Sequence, residues 1–284
     1  MNVTDYSFTR YLAAKQTIDD RSLNHGVWQS LLSHLPSGRL SVLEVGAGTG
    51  TMLERLAGRG FLSRAARYTA IDADLANVAE ARRRLSGVAW PTEVELEAAD
   101  VYDFAQRERG RRVWDLIIAH AFLDLTDIPR LLPALFALLP PGGLFYFTIN
   151  FDGLTALEPP VDPEFDERVL DLYHQTMDER RVAGRPTGGR HAGRTLLTQI
   201  PAAAGEIIAA GASDWIVIPS QGGYPADEGY FLHHILKFFE ESLEGRPEVE
   251  PKQLASWLRR RHAQIDAGEL VLIAHQLDIC GRVG

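Results

Sequence analysis

Residues 42–50 read VLEVGAGTG, an apolar run interrupted by Glu44 and followed by glycines at positions 46, 48 and 50. The length and composition of the run predict a buried strand, which the first glycine ends. Glycines allow a tight turn, let a ligand lie against the backbone, and leave free N–H groups at the start of the next helix. The stretch therefore predicts a strand, a ligand-binding turn and a helix in succession.

Strand-like and helix-like segments alternate through the first half of the chain. After residues 42–50 the strand-like segments are ARYTAID, EVELEAAD, VWDLIIAHAF and LFYFTIN, and helical patterns separate them. Strands that alternate with helices at this spacing indicate βαβ crossovers and a parallel sheet covered on both faces. The predicted fold class is therefore α/β with a doubly wound sheet. Two more helices are predicted before the sheet, at about residues 6–16 and 20–35.

The regular alternation stops at Phe151. Residues 151–190 contain many prolines, glycines and charges around one helical stretch, and a long irregular insertion after a strand is usually functional. Beyond it, the patterns predict helices at about 195–211, 227–244 and 251–267 and strands at about 214–220 and 269–279. We therefore expect an N-terminal helical cap at 1–38 and one domain at 39–284, with lid insertions at about 151–190 and 221–268.

Composition narrows the possible partners. The 284 residues are 45% hydrophobic and 24% charged, as in globular proteins, and the net charge of −9 argues against nucleic acid. No apolar stretch approaches the roughly 20 residues of a membrane span, and residues 1–10 lack a secretory leader pattern. We therefore expect a cytoplasmic protein, monomeric or homodimeric, without a membrane partner. The single cysteine, Cys280, excludes an intramolecular disulfide and a multi-cysteine metal site, and we expect no metal.

Three acids, Glu44, Asp72 and Asp100, stand at or next to the predicted carboxyl ends of the first three strands. Ligands of open α/β sheets bind outside these ends, so the acids are expected to line one crevice. A dinucleotide site prefers G-x-G-x-x-G, whereas the spacing here is G-x-G-x-G and Glu44 would lie beside a pyrophosphate. A ligand with an adenosine and a cationic, amino-acid-like end suits the acids better.

Several segments together resemble one known family. LEVGAGTG, YTAIDADL, AAD, WDLIIAHAFLDL and LLPPGGLFYFTIN resemble, in order and spacing, the successive motifs of class I S-adenosylmethionine-dependent methyltransferases. The resemblance covers about residues 40–150, and the last two predicted strands fit the family's terminal hairpin. It implies a mostly parallel, seven-stranded Rossmann-like sheet, S-adenosyl-L-methionine as cofactor and S-adenosyl-L-homocysteine as product.

The resemblance also implies a set of cofactor contacts. The glycine loop would lie under the methionine portion, with Glu44 orienting its amino group or the loop. Asp72 would accept hydrogen bonds from both ribose hydroxyls, and Asp100 with the Val101 backbone would address the adenine amino group. For Asp74 a structural role, as a helix cap or in a loop salt bridge, is the better interpretation. The expected cofactor-binding residues are Glu44, Gly46, Ala47, Gly48, Gly50, Asp72, Ala73, Asp100, Val101, His120 and Phe122.

The residues that handle the methyl acceptor are less well defined. His120 and Phe122 follow the fourth strand, where the family contacts the methionyl group; His120 would donate a hydrogen bond to the cofactor or act as a general base. Asn150 ends the fifth strand, where it would contact substrate or form a turn. His191, in GGRHAGR at 188–194, would clamp a substrate or lead into the next helix. The candidate catalytic residues are therefore His120, Asn150 and His191.

Three segments are expected to cover one sheet edge: the N-terminal helices and the two insertions. A closed pocket favours a small-molecule substrate over a polymer, and we expect direct in-line methyl transfer to an oxygen or nitrogen nucleophile. Two alternatives stay open. One is a non-catalytic module that binds S-adenosylmethionine, and the other is an NAD-dependent oxidoreductase, against which the glycine spacing counts.

Overall fold

The structure is a computed structural model that describes residues 6–88 and 90–284. Its helices are α1 Phe8–Ala14, α2 Gln16–Ser22, α3 His25–His34, α4 Thr51–Gly58, α5 Leu75–Leu85, α6 Val101–Glu108, α7 Ile128–Phe136, α8 Pro163–Glu179, α9 Ala192–Ala202, α10 Glu228–Leu243 and α11 Pro251–Asp266. Its strands are β1 Leu40–Val45, β2 Ala65–Asp72, β3 Glu93–Ala98, β4 Leu116–His120, β5 Leu144–Glu158, β6 Arg181–Val182, β7 Arg185–Pro186, β8 Gly205–Ala212, β9 Trp215–Val217 and β10 Val271–Val283. Short 3₁₀ helices lie at Phe61–Arg64, Leu123–Leu125 and Gly189–His191.

One large sheet forms the centre of the fold. Its strand order is β3-β2-β1-β4-β5-β10-β8, and β9 pairs with β10 beyond the end of β8. Strands β1 to β5 run parallel, whereas β10 is antiparallel to β5 and β8. The architecture confirms the predicted doubly wound, mostly parallel Rossmann-like sheet, and β9 is one strand more than the seven expected. The strand order reverses between β1 and β4, where such sheets bind ligands.

Helices cover both faces of this sheet. One face packs against α3, α4 and α5 through a core that includes Trp28 and Leu53. The opposite face packs against α6, α7 and α9 through a core that includes Phe104 and Leu196. Double coverage explains why β1 and β4 read as nearly continuous apolar runs. None of the described helices combines the length and hydropathy needed to cross a membrane.

A third core lies beyond the end of the sheet. Strands β5 and β10 are longer than their neighbours and stay paired as far as Glu158 and Val271. Their protruding ends pack with α1, α2, α8, α10 and α11 around Leu157 and Phe231. These helices form a cap over the carboxyl ends of the parallel strands. Helix α3, within the predicted 1–38 cap, packs on the sheet instead.

Several element boundaries differ from the sequence-based predictions. Strand β5 does not end at Asn150 but continues to Glu158, because β10 pairs with it past the sheet, and the irregular insertion starts after it. The helix predicted over 195–211 ends at Ala202, where Ala204 takes a left-handed conformation, and the rest is strand β8 on the edge of β10. The two predicted N-terminal helices are three, α1 to α3. Residues 1–5 of the predicted cap lie outside the described residues.

Candidate active site

The glycine turn between β1 and α4 has the conformation that its sequence requires. Gly46, Gly48 and Gly50 have positive φ angles of 66°, 54° and 83°, which residues with a side chain rarely adopt. A Cβ atom at Gly46 would lie 2.2 Å from the ring of Phe122. Ala47 is buried at the base of the turn. Because Phe122 follows β4, its contact with Gly46 brings both sides of the crevice together.

Asp72, at the end of β2, links this turn to the neighbouring strand. Its Oδ2 accepts a hydrogen bond from the Gly48 N–H at 2.8 Å. Its Oδ1 accepts from the Asp74 N–H at 2.9 Å and from the Asn77 amide at 3.2 Å. A carboxylate offers about four acceptor positions, so Asp72 keeps one on Oδ2. Asp74 caps α5 by accepting from the Ala76 N–H, which is the first of the two structural roles predicted for it.

Asp100 caps helix α6 and faces the same crevice. Its Oδ1 accepts from the backbone N–H groups of Tyr102 and Asp103, at 2.8 and 3.2 Å. Among the described residues, none donates a hydrogen bond to its Oδ2. The Asp100 side chain is exposed, so this oxygen remains available to a ligand.

A cavity of about 390 Å³ lies at the carboxyl ends of β1 to β4. The expected cofactor residues that line it are Gly46, Asp72, Ala73, Asp100, Val101 and Phe122. Those outside its lining are Glu44, Ala47, Gly48, Gly50 and His120. The hairpin of β6 and β7 closes the outer side, since Val182 and Arg185 line the cavity and Arg185 Nη1 lies 3.6 Å from Asp127 Oδ2. Part of the segment predicted as an insertion at 151–190, the β6–β7 hairpin, thus lines this cavity.

Glu44 lies beneath the glycine turn. Its side chain is 1% exposed and accepts a hydrogen bond from the Tyr68 hydroxyl at 2.6 Å. Burial raises the pKa of Glu44 to about 7, although Tyr68 and Arg55 act in the opposite direction. Of the two roles expected for Glu44, this position favours support of the loop over contact with the cofactor amino group.

His120 links the N-terminal helices to the sheet. Its Nδ1 lies 2.8 Å from Thr148 Oγ1, and its Nε2 lies 3.0 Å from Asp19 Oδ2. Asp19 also binds Lys15 Nζ at 3.2 Å and Trp215 Nε1 at 2.9 Å. Burial lowers the pKa of His120 to about 4. Burial opposes ionisation of Asp19, but Lys15 and His120 outweigh it and hold the pKa of Asp19 below its usual range.

A neutral His120 therefore donates from Nε2 to an ionised Asp19 and accepts at Nδ1 from the Thr148 hydroxyl. Both ring nitrogens are occupied by this network. His120 can contact the cofactor or act as a base only by giving up one of these bonds. The geometry favours a positioning role, in which His120 holds Asp19 and, through it, Lys15.

Asn150 faces away from both cavities described here. Its side chain is fully buried, and its Nδ2 donates to the Leu277 carbonyl at 2.9 Å. Its neighbours Ile149 and Phe151 line the cavity under the cap, whereas Asn150 lines neither this cavity nor the crevice. The structure therefore does not place Asn150 where a catalytic role would put it.

His191 packs against the backbone of β5. A Cβ atom at Gly153 would lie 2.7 Å from its ring. Its neighbours Arg190 and Arg194 form ion pairs with acids of α8 and β5, at 2.6 and 2.9 Å. Residues 188–194 therefore form the packed entry to α9, the second of the two predicted roles, and His191 lines neither cavity.

The cavity under the cap has a volume of about 380 Å³ and a largely apolar wall. Its aromatic lining residues are Phe8, Tyr11, Phe151, Tyr173, Trp215, Phe238 and Phe239, and its charged ones are Lys15, Asp124 and Arg180. Leu125 lines this cavity and the crevice cavity. The two spaces are therefore neighbours, separated by the turn that follows β4.

The sequence patterns do not indicate most of the residues in this second site. Asp124 lies in AHAFLDL, directly after β4, where its proximity to the crevice was visible. Arg180 lies in the run DERR at 178–181, which is typical of a solvated helix end. Only the fold shows that the chain turns back at β6 and places Arg180 in a cavity.

Comparisons with known proteins agree with this architecture. Residues 42–143 match a family model described as a methyltransferase domain. The fold is similar to that of a candidate methyltransferase from Bacillus halodurans C-125, with a TM-score of 0.54 and 11% identity, covering 91% of this chain and 99% of that one. It is also similar to the YcgJ protein of Bacillus subtilis, with a TM-score of 0.50 and 13% identity, covering 92% and 99%. No curated protein sequence matches the chain.

The matched segment contains the glycine turn, the acids at the strand ends and the turn after β4. Residues 42–143 are therefore similar to a methyltransferase domain, which agrees with the family that the motifs resemble. This match supports an enzyme with S-adenosyl-L-methionine as its cofactor, and it counts against the nicotinamide alternative. Within residues 6–88 and 90–284, no group of three or more His, Cys, Asp or Glu side chains is arranged to hold a metal ion.

Proposed function

We propose that this methyltransferase acts on a small molecule bound under the cap and transfers the methyl group to an oxygen or nitrogen atom. The supporting observation is the pair of neighbouring cavities that share Leu125. One lies where the family binds its cofactor, and the other is enclosed by helices α1, α8 and α10. A volume of about 380 Å³ suits a metabolite-sized ligand rather than a polymer.

The crevice residues fit the adenosyl end of the cofactor. In this proposal Asp100 Oδ2 and the Val101 backbone bind the adenine. Asp72 accepts one ribose hydroxyl at its free position on Oδ2, and the second hydroxyl replaces the 3.2 Å bond from Asn77. The positive φ of Gly46 and its contact with Phe122 leave a flat backbone surface for the methionine portion. Glu44 and Tyr68 support this surface from below.

The chain's own contribution to the reaction is binding and exclusion of water. The cofactor supplies an activated methyl group on a sulfonium, and the protein must align a nucleophile with it. The cap residues enclose the acceptor. Because Leu125 lines both cavities, the acceptor and the cofactor lie next to each other. His120, Asp19 and Lys15 fix the N-terminal helices against β4 and so hold one wall of the acceptor cavity.

The cap is the proposed lid of the enzyme. It combines the N-terminal helices with parts of the segments at 151–190 and 221–268. Its charged contacts bridge these segments, since Arg10 and Arg21 pair with Asp227 and Glu228 at the start of α10. Opening the acceptor cavity would therefore require α1 and α10 to move together or these ion pairs to break.

The test is calorimetric titration of the purified protein with S-adenosylmethionine, S-adenosylhomocysteine and NAD in parallel. Micromolar binding of both adenosyl-sulfur ligands without an NAD response is expected. An acceptor screen read by release of S-adenosylhomocysteine follows, over metabolites, peptides and nucleic acids. Methylation of a peptide or nucleic acid in preference to every metabolite would contradict the small-molecule proposal, and binding without turnover on any acceptor would favour the non-catalytic module.

A further inference from the structure

Arg180 brings an unpaired positive charge to the acceptor cavity. Its guanidinium forms no hydrogen bond or ion pair with any described residue, and its Nη1 is shielded from solvent. The two preceding acids cannot neutralise it, because Asp178 pairs with Arg190 and Glu179 pairs with Arg246. A guanidinium with a shielded nitrogen that has no partner favours an anion, which offsets the lost hydration of that nitrogen. The cavity therefore favours a ligand with an anionic group.

Asp124 provides the opposite charge in the same cavity. It lies in the turn after β4, between Phe122 of the crevice and Leu125, which lines both cavities. Among the described residues, no Lys, Arg or His nitrogen lies within 4.0 Å of its carboxylate. Burial raises the pKa of Asp124, and Arg180 acts in the opposite direction without touching it. The charges of Arg180 and Asp124 thus face the same acceptor cavity, and Asp124 lies at the end next to the cofactor crevice.

The wall between these charges suits a flat, apolar body. Tyr173, Trp215 and Phe151 present rings to the cavity, and Phe238 and Phe239 extend this surface from α10. Aromatic side chains favour stacked or edge-on contact with another ring. The other cationic side chain, Lys15, is already paired with Asp19. The charged groups that remain are one guanidinium and one carboxylate, beside the aromatic wall and neutral polar side chains such as Gln276 and Ser242.

We propose that the methyl acceptor is an aromatic carboxylic acid with a hydroxyl or amino group, its carboxylate on Arg180 and its nucleophile at Asp124. This inference rests on the proposed function. In the reaction a lone pair of the hydroxyl oxygen or amino nitrogen bonds to the methyl carbon, and the proton that this atom loses passes to the Asp124 carboxylate. The carbon–sulfur bond breaks with its electron pair left on sulfur. Asp124 then returns the proton to solvent.

The test compares acids with their primary amides in the presence of saturating S-adenosylhomocysteine. The pairs are 3-hydroxybenzoate, 4-hydroxyphenylacetate and 2-aminobenzoate, each against its amide, by calorimetry. At least one acid is expected to bind about tenfold or more tightly than its amide, because a charge-assisted bidentate contact is lost in the amide. Arg180→Met should remove this preference, whereas Arg181→Met, at the exposed neighbouring position, should keep it.

The outcomes separate this inference from the proposed function. Failure of wild-type protein to bind S-adenosylhomocysteine would count against the cofactor placement itself. Normal S-adenosylhomocysteine binding with equal affinity for acids and amides, or with no binding by any acid, would overturn only the assignment of Arg180. If Arg180→Met does not fold, the acid and amide comparison in wild-type protein still decides.

The role of Asp124 has a separate kinetic readout. Asp124→Asn should lower kcat by about 10²- to 10⁴-fold, the usual contribution of a general base, with little change in KM for the acid. An acceptor with a nitro-substituted, more acidic phenol should recover much of the lost rate, since it needs no base. A rise in KM with unchanged kcat, or no recovery with the acidic phenol, would overturn the role of Asp124 as base.

Discussion

Replacing Glu44 with glutamine tests whether a carboxyl group is buried under the glycine turn. Burial raises the pKa of Glu44 from 4.5 to about 7. A group whose pKa is raised on folding contributes stability that is complete below its unfolded value and is lost as the pH rises through its folded value. The stability that Glu44 contributes is therefore lost between pH 4.5 and a pH just above 7. The gap between the two pKa values corresponds to about 3 kcal/mol in the free energy of unfolding.

Glutamine at position 44 keeps an acceptor for the Tyr68 hydroxyl but cannot ionise. The stability of Glu44→Gln relative to wild type should therefore increase by about 3 kcal/mol between pH 4.5 and pH 8. Urea denaturation at four or five pH values measures this difference directly. The change of this stability difference with pH is decisive, because a packing effect of the amide that is the same at every pH cancels when values at two pH values are subtracted.

Glu80→Gln is the matched control. Glu80 pairs with Arg83 on the exposed face of α5, and that hydrogen bond holds the pKa of Glu80 below its ordinary value. This variant should show no pH-dependent difference from wild type over the same range. A Glu44→Gln difference that stays constant within about 1 kcal/mol would refute the argument that Glu44 is buried and largely neutral at pH 6.

Three further substitutions test the site and the cap. Asp72→Ala should weaken S-adenosylhomocysteine binding by roughly 2–4 kcal/mol in calorimetry. The control Asp74→Ala removes only a helix cap and should change the affinity for S-adenosylhomocysteine by less than about threefold. Equal effects of the two substitutions would contradict the ribose placement. Asp19→Asn should lower the free energy of unfolding in urea by about 3–5 kcal/mol, because it leaves the buried Lys15 ammonium without its anion. Asp227→Asn, which breaks an exposed ion pair, should lower it by under about 1 kcal/mol. Similar losses in the two variants would argue against the buried network of Lys15, Asp19 and His120. Gly46→Ala should reduce cofactor affinity, since its Cβ collides with a ring at 2.2 Å, and unchanged calorimetric affinity would show that the turn adapts.

The parts of the fold that depend on local patterns could be predicted from the sequence. The apolar run before Gly46 and the acids at the strand ends identified the sheet and the crevice, because strand, turn and cap signals are all short-range. Strand β8 and the far half of β5 could not be predicted, since both exist only because β10 pairs with them from more than 60 residues away. Local propensity does not contain that information.

The same limit applies to the active site. Motif residues such as Asp72 and Asp100 lie in the crevice as expected, because the strand order fixes their positions. His120, Asn150 and His191 were chosen for their chemistry at strand ends and loops. The structure gives His120 and Asn150 internal hydrogen-bond partners and places the exposed His191 against Gly153 of β5. Arg180 reaches the acceptor cavity only through a reversal of the chain at β6. Its role depends on tertiary packing rather than on its neighbours in sequence.

The central position of β10 has a consequence for biosynthesis. Residues 271–283 are the last of the described strands to leave the ribosome, yet they lie between β5 and β8. Until they emerge, β5 has one open edge and β8 has no neighbour in the sheet. The cap core also lacks Leu272, one of its buried members. The nascent chain can thus form the crevice early, but the acceptor cavity closes only after β10 has been synthesised, and unpaired strand edges remain exposed until then.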